Sequence, residues 1–198
     1  MPSIPEFANE IHAVTAAPWS QAHPRNDHQL VFPLSNDRLL FVWCSYYVRR
    51  PSTISQSPFQ DGAGLPDDAP CRIEARVSTD QGRSWSDVMT LQENNGASNV
   101  KHPNLLRLSD GRILFSYTER DTAAQRLRVR LRVSDDECET FGPSRDITPG
   151  PGWYFTNADH ILQHSSGRII LPCHAGLIYG RGDHYQAFCL YSDNQGET

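Results

Sequence analysis

The sequence predicts an all-β protein built from repeated four-stranded antiparallel sheets. Two observations carry this. A polar turn motif recurs three times at nearly constant spacing, and the runs leading into it alternate apolar and polar residues with period two. No segment shows the 3.6-residue periodicity of an amphipathic helix.

The turn motif reads Ser-x-Asp-x-Gly-x-x-aromatic. Its copies are Ser78-Thr79-Asp80-Gln81-Gly82-Arg83-Ser84-Trp85, Ser134-Asp135-Asp136-Glu137-Cys138-Glu139-Thr140-Phe141 and Ser192-Asp193-Asn194-Gln195-Gly196-Glu197-Thr198, starting 56 and 58 residues apart. The Ser and Asp side chains suit a hairpin because they accept hydrogen bonds from backbone N–H groups of their own turn. Gly82 and Gly196 supply a positive φ without steric cost, and Trp85 and Phe141 are expected to fold back into the apolar layer and be largely buried. Cys138 replaces the second glycine and Asn194 the third Asp.

A second repeat lies upstream. Ser35-Asn36-Asp37-Arg38, Ser109-Asp110-Gly111-Arg112 and Ser165-Ser166-Gly167-Arg168 each open an apolar strand and follow a short one. The strands that enter the motif alternate: Ile73, Ala75 and Val77 against Arg72, Glu74 and Arg76, then Leu127, Val129, Leu131 and Val133 against Arg126, Arg128, Arg130 and Arg132. The arginine stripe is expected to pair with carboxylates such as Glu74 across a blade face. Each unit is thus strand, turn, strand, loop, strand, turn, strand, about 50 residues long. A β-propeller accommodates such a repeat by closing its sheet edges. A β-sandwich does not require identical turn chemistry at a fixed period. The blades are expected at about 28–92, 100–148 and 153–198 of a single domain, the third incomplete.

Composition excludes several classes. The chain has 198 residues, 38% hydrophobic and 21% charged, with a net charge of −5. The acidic balance argues against nucleic acid as a partner. No apolar run reaches the roughly 18–20 residues of a membrane span. Residues Met1 to Phe7 lack the basic and apolar regions of a secretory leader, so either a cytoplasmic location or a leader already removed is expected. Cys44, Cys71, Cys138, Cys173 and Cys189 are odd in number and widely spaced, and buried free thiols are expected. His160 and His164 are not on a helix, and neither a metal nor another cofactor is expected.

The turn motifs resemble the Asp boxes, or BNR repeats, of the sialidase (neuraminidase) superfamily. The resemblance extends over Arg25-Asn26-Asp27, Asn99-Val100, Leu105 to Arg112, Tyr154 to Asp159 and Ser166 to Pro172, and covers roughly Trp19 to Thr198. It implies a six-bladed propeller, of which this chain supplies about three blades of a longer polypeptide. It also implies a sialidase-like hydrolase of exo-α-sialidase type, acting on terminal sialic acid or a related acidic sugar of glycans. The alternatives are a non-catalytic propeller that binds carbohydrate or protein, and a glycan lyase on the same fold. The boxes are scaffold in either case, so function has to be argued from the site.

The turn-to-box distance is 40 residues in the first blade against 22 and 24 in the next two, which marks an insertion over Arg49 to Pro70. Long loops on rigid scaffolds carry sites. This one ends in Asp67-Asp68, resembling the loop that holds the sialidase acid/base Asp. The resemblance points to Asp68, with Asp67 as the substitute. Arg25 matches the first carboxylate-binding arginine, although family members show Arg-Ile-Pro where this chain has Arg25-Asn26-Asp27. Asn157 and Asp159, ahead of a third-blade strand, are candidate sugar contacts. The Tyr nucleophile of sialidases, its Glu and two further arginines are expected beyond Thr198, and the fragment alone is expected to be inactive.

Overall fold

The computed structural model describes residues 12–48, 65–176 and 185–198. The first seven residues and most of the predicted insertion, 49–64, lie outside the described residues. Among the described residues there are twelve strands and no helix. They are β1 (Arg25–Pro33), β2 (Leu39–Tyr46), β3 (Cys71–Ser78), β4 (Met89–Gln92), β5 (Asn99–Arg107) and β6 (Ile113–Asp121). There follow β7 (Arg126–Ser134), β8 (Arg145–Asp146), β9 (Trp153–Phe155), β10 (Leu162–Gln163), β11 (Ile169–Gly176) and β12 (Tyr185–Ser192).

The first blade is β1-β2-β3-β4, antiparallel throughout. β5-β6-β7-β8 repeats the order. In the third blade, β11 pairs with β12 on one side and with both β9 and β10 on the other. β9 and β10 are therefore two halves of one interrupted inner strand. A parallel pairing of Leu127 with Trp153 links the second blade to the third.

The predicted turn chemistry repeats atom for atom. The tight turns close with Leu34 N to Arg38 O (2.9 Å), Leu108 N to Arg112 O (2.8 Å) and His164 N to Arg168 O (2.8 Å). In the second motif, the Ser78, Ser134 and Ser192 hydroxyls accept from Gly82 N (2.8 Å), Cys138 N (3.0 Å) and Gly196 N (2.9 Å). Asp80, Asp136 and Asn194 accept from the amides of Ser84 (2.8 Å), Thr140 (2.8 Å) and Thr198 (2.9 Å). Gly82, Cys138 and Gly196 all have positive φ, at 85°, 68° and 82°. Cys138 accepts this strained geometry with its side chain buried in the first core.

Trp85 and Phe141 depart from expectation: both are only partly buried. They lie at the outer turns, where one ring face meets the sheet, Trp85 against Phe41 (5.5 Å between centroids) and Phe141 against Phe115 (5.1 Å). What lies over the Phe141 ring is a guanidinium and not an apolar layer, Arg132 at 5.3 Å from its centroid.

The first two blades each bury the apolar side of their third strand against the next blade. Ile73 and Ala75 of β3 join Cys44 and Tyr46 in a core with Val100, Leu105, Phe115 and Tyr117 of the second blade. Leu131 of β7 packs with Ile169, and Val129 with Leu171 and Cys173 of the third. The arginines of β7 face the other way. Arg126 pairs with Asp121 (3.4 Å), Arg128 with Asp146 (3.1 Å) and Arg130 with Glu119 (3.8 Å), while Arg132 crosses to Gln92 Oε1 (3.0 Å) of the first blade. Glu74 is not their partner. It lies on the far side of β3 from Ile73 and pairs with Arg72 at 2.6 Å. Cys44, Cys71, Cys138 and Cys173 are buried free thiols, whereas Cys189 is exposed. Burial pushes the Cys138 and Cys173 thiols up to about 12.

Candidate functional site

Each inner strand is broken at the same place. The register slips between Asp27 and Leu30 in β1 and between Lys101 and Asn104 in β5, and His28 (φ 49°) and His102 (φ 57°) sit in the two bulges. Bulges bend a strand and re-aim its side chains. Here they turn the starts of β1 and β5 toward a cleft of ≈ 410 Å³, which the start of β9 completes. Arg25, Asp67, Lys101 and Arg120 line its charged side. His28, His102, Trp153 and Phe155 form the rest of its wall with Leu127.

Asp67 is fixed from below. Its backbone carbonyl accepts from Asn99 Nδ2 (2.8 Å), Arg120 Nη1 (2.9 Å) and Lys101 Nζ (3.3 Å). Asn99 is fully buried and also donates to Ala69 O at 2.8 Å. The second blade thus holds the last turn of the first-blade loop in place.

The Arg25 guanidinium donates to Asp27 Oδ2 (2.6 Å), Leu65 O (2.7 Å) and Asp67 Oδ1 (2.9 Å), and lies 4.3 Å over the Tyr46 ring. Burial acts to lower its pKa, but Tyr46, Asp67 and Asp27 outweigh burial and raise it, so Arg25 stays charged. Burial would raise the Asp67 carboxyl, yet Lys101, Arg25 and Arg120 hold it below the ordinary carboxylate range. Lys101, with a side chain only 5% exposed, is lowered by burial and supported by Asp67. Burial likewise lowers His28 and His102 and raises Tyr46. The cleft therefore holds cations and neutral imidazoles, with Asp67 as an ionised carboxylate. Among the described residues, no group of three or more His, Cys, Asp or Glu is placed to hold a metal ion.

Of the residues singled out in sequence, Arg25 and Asp67 meet directly. Asp68 is exposed and does not line the cleft. Asn157 and Asp159 are exposed and hold the third-blade loop by backbone atoms: Asn104 Nδ2 donates to Asn157 O (2.9 Å), and Asp159 N to Pro103 O (3.2 Å). The box residues lie at the opposite end of the sheets, since Ser78 pairs with Leu39 while Tyr46 pairs with Cys71. Sequence reasoning missed His28, Lys101, His102, Arg120, Trp153 and Phe155. One signal was present: His28 and His102 each precede the Ser of the tight turn by seven residues. Arg120 carries no such mark, because it reaches the cleft from the far end of β6.

No family model matches the chain. It is 28% identical over 189 residues to a sialidase of Paraclostridium sordellii, an alignment covering 79% of this chain and 46% of the relative. Among solved structures it superposes on a Hadza microbial sialidase with a TM-score of 0.69, at 14% identity, covering 90% of this chain and 37% of the other. The fold is that of the sialidase-like superfamily. A leech intramolecular trans-sialidase complexed with 2,7-anhydro-Neu5Ac superposes with a TM-score of 0.65 at 9% identity, covering 94% of this chain and 44% of that one. The chain spans less than half the length of the curated relative that it matches.

Proposed function

We propose that this chain forms part of a sialidase-like glycoside hydrolase of exo-α-sialidase type, acting on terminal sialic acid or a related acidic sugar of glycans. The cleft supports this reading: Arg25, Lys101 and Arg120 surround one carboxylate, Asp67, at the inner-strand ends of a sialidase-like propeller. A sugar carboxylate gains charge-assisted hydrogen bonds from such groups. Phe155, partly buried in the cleft wall, offers an apolar surface to the sugar ring. Asp67 fits the acid/base role better than Asp68 because it faces the cleft. A ligand carboxylate that takes over Arg25 withdraws one of the charges that, with Lys101 and Arg120, hold Asp67 down, and so moves Asp67 toward the protonated, acid form.

The test is hydrolysis by the whole polypeptide that contains this chain. Asp67→Ala is expected to reduce cleavage of a natural sialoside more than that of an aryl sialoside, because a good leaving group needs less acid assistance. Equal loss on both substrates would remove Asp67 from the acid role. Binding of the sugar without any cleavage would favour a non-catalytic glycan-binding propeller, and an unsaturated product would favour a lyase.

A further inference from the structure

His102 has no part in that reading, yet its surroundings define its chemistry closely. It sits in the β5 bulge with its ring 8% exposed. Its Nδ1 lies 3.0 Å from Thr118 Oγ1. The Thr118 hydroxyl has a single proton and two acceptors within reach, His102 Nδ1 and, at 3.2 Å, Lys101 O. With that proton on Lys101 O, the Thr118 oxygen only accepts toward His102. In that arrangement Nδ1 carries the ring proton, and Nε2 carries a lone pair. Among the described residues Nε2 has no hydrogen-bond partner, and the ring lines the cleft.

The orientation is held from both sides. The His28 ring meets His102 edge-on at 4.5 Å between centroids, and Phe155 stacks at 6.3 Å. Protonation is opposed first by burial and then by the neighbouring His28, Lys101, His174 and Arg120. Elsewhere on the charged wall the side chains donate, and the Asp67 carboxylate is engaged by Arg25 and Lys101. His102 is the complementary group, an acceptor with nothing to accept.

We propose that His102 is a ligand-contacting residue of the cleft, locked by Thr118 as the Nδ1–H tautomer so that Nε2 accepts a hydrogen bond from an O–H or N–H group of the bound sugar. The contact rests on the reading that the cleft takes a sugar, whereas the tautomer lock does not. The cations then select the acidic substituent, and His102 reads a hydroxyl or amide on the same ring.

The experiment is NMR on ¹⁵N-histidine-labelled protein, with long-range ¹H–¹⁵N correlations to assign the tautomer. His102 is expected as neutral Nδ1–H across the range in which an ordinary histidine (pKa about 6.5) takes up its proton. Thr118→Val should shift it toward Nε2–H. Titration with free N-acetylneuraminate, glucuronate or galactose should move the Nε2 resonance for at least one sugar. His102→Phe, which keeps a ring but no acceptor, should weaken that sugar by about three- to tenfold, the contribution of one hydrogen bond. A wild-type Nε2–H tautomer, a His102 charged near pH 6.5, or an Nε2 resonance that none of the sugars moves would each overturn the proposal. Binding of an acidic sugar that leaves Nε2 unmoved sinks the His102 contact and spares the hydrolase reading. An Nε2 shift with galactose alone supports the contact and sinks that reading.

Discussion

Asn104→Ala should be among the most damaging single changes outside the apolar cores. Asn104 is fully buried in β5 and stitches the third blade to the second. Its Nδ2 donates to Asn157 O (2.9 Å) and His102 O (3.1 Å), and its Oδ1 accepts from His160 N (2.6 Å) and Ile161 N (3.2 Å). At about 1 kcal/mol net per hydrogen bond, four bonds amount to about 4 kcal/mol. The third-blade loop is exposed along Asn157, Asp159 and His160, so water can replace part of this after truncation. A loss of about 2–4 kcal/mol is expected in urea unfolding, or roughly 6–12 °C in Tm for a loss of about 3 kcal/mol in a chain of this size. Amide exchange at His160 and Ile161 should accelerate alongside. The control is Asn157→Ala, whose exposed side chain should change stability by no more than about 0.5 kcal/mol. A loss below about 1 kcal/mol for Asn104→Ala, or equal losses for the two variants, would show that the blades are not joined through this side chain.

Two further outcomes follow from the charges. Hydrogen bonds from the Ser84 hydroxyl and amide and from Ser78 hold the Asp80 carboxyl down at about 2, below its unfolded value of about 3.9. Its contribution is therefore complete above the unfolded value and is lost as pH falls through about 2, so unfolding midpoints should drop over that acid window and drop less in Asp80→Asn. Asp67→Asn removes the carboxylate that supports the charge of Lys101, so the Lys101 ammonium, already lowered by burial, should titrate at a still lower pH by NMR; an unchanged or higher value would refute the coupling.

Much of the scaffold was legible before any coordinates. The Ser-x-Asp turns are local devices: the bonds made by the side chains of their Ser and Asp join residues within four positions of each other, as Ser78 to Gly82 and Asp80 to Ser84 show. Period-two alternation likewise identified β3 and β7 and sorted their residues into two faces, because strand geometry sends successive side chains to opposite faces. The same local reasoning overstated Trp85, since how deeply a ring is buried depends on what lies above it.

The site was legible only in part. Arg25 and the Asp67-Asp68 pair stood out through a resemblance and an unusually long loop. The proposed choice of Asp67 over Asp68 rests on Asp67 facing the cleft, where three donors from β5 and β6 converge on its carbonyl. Arg120 lies 53 residues from Asp67 in sequence and Asn104 lies 53 from Asn157. No local pattern encodes such meetings. They arise because each blade packs on the next and the inner strands bulge at the same register, which brings one end of every sheet to a common cleft. The sequence by itself determined the repeat, the turns and the apolar faces, whose physics is short-range. Tertiary packing decided which cations gather at the solvent-exposed Asp67 carboxylate and hold it ionised, and which imidazoles are buried enough to stay neutral.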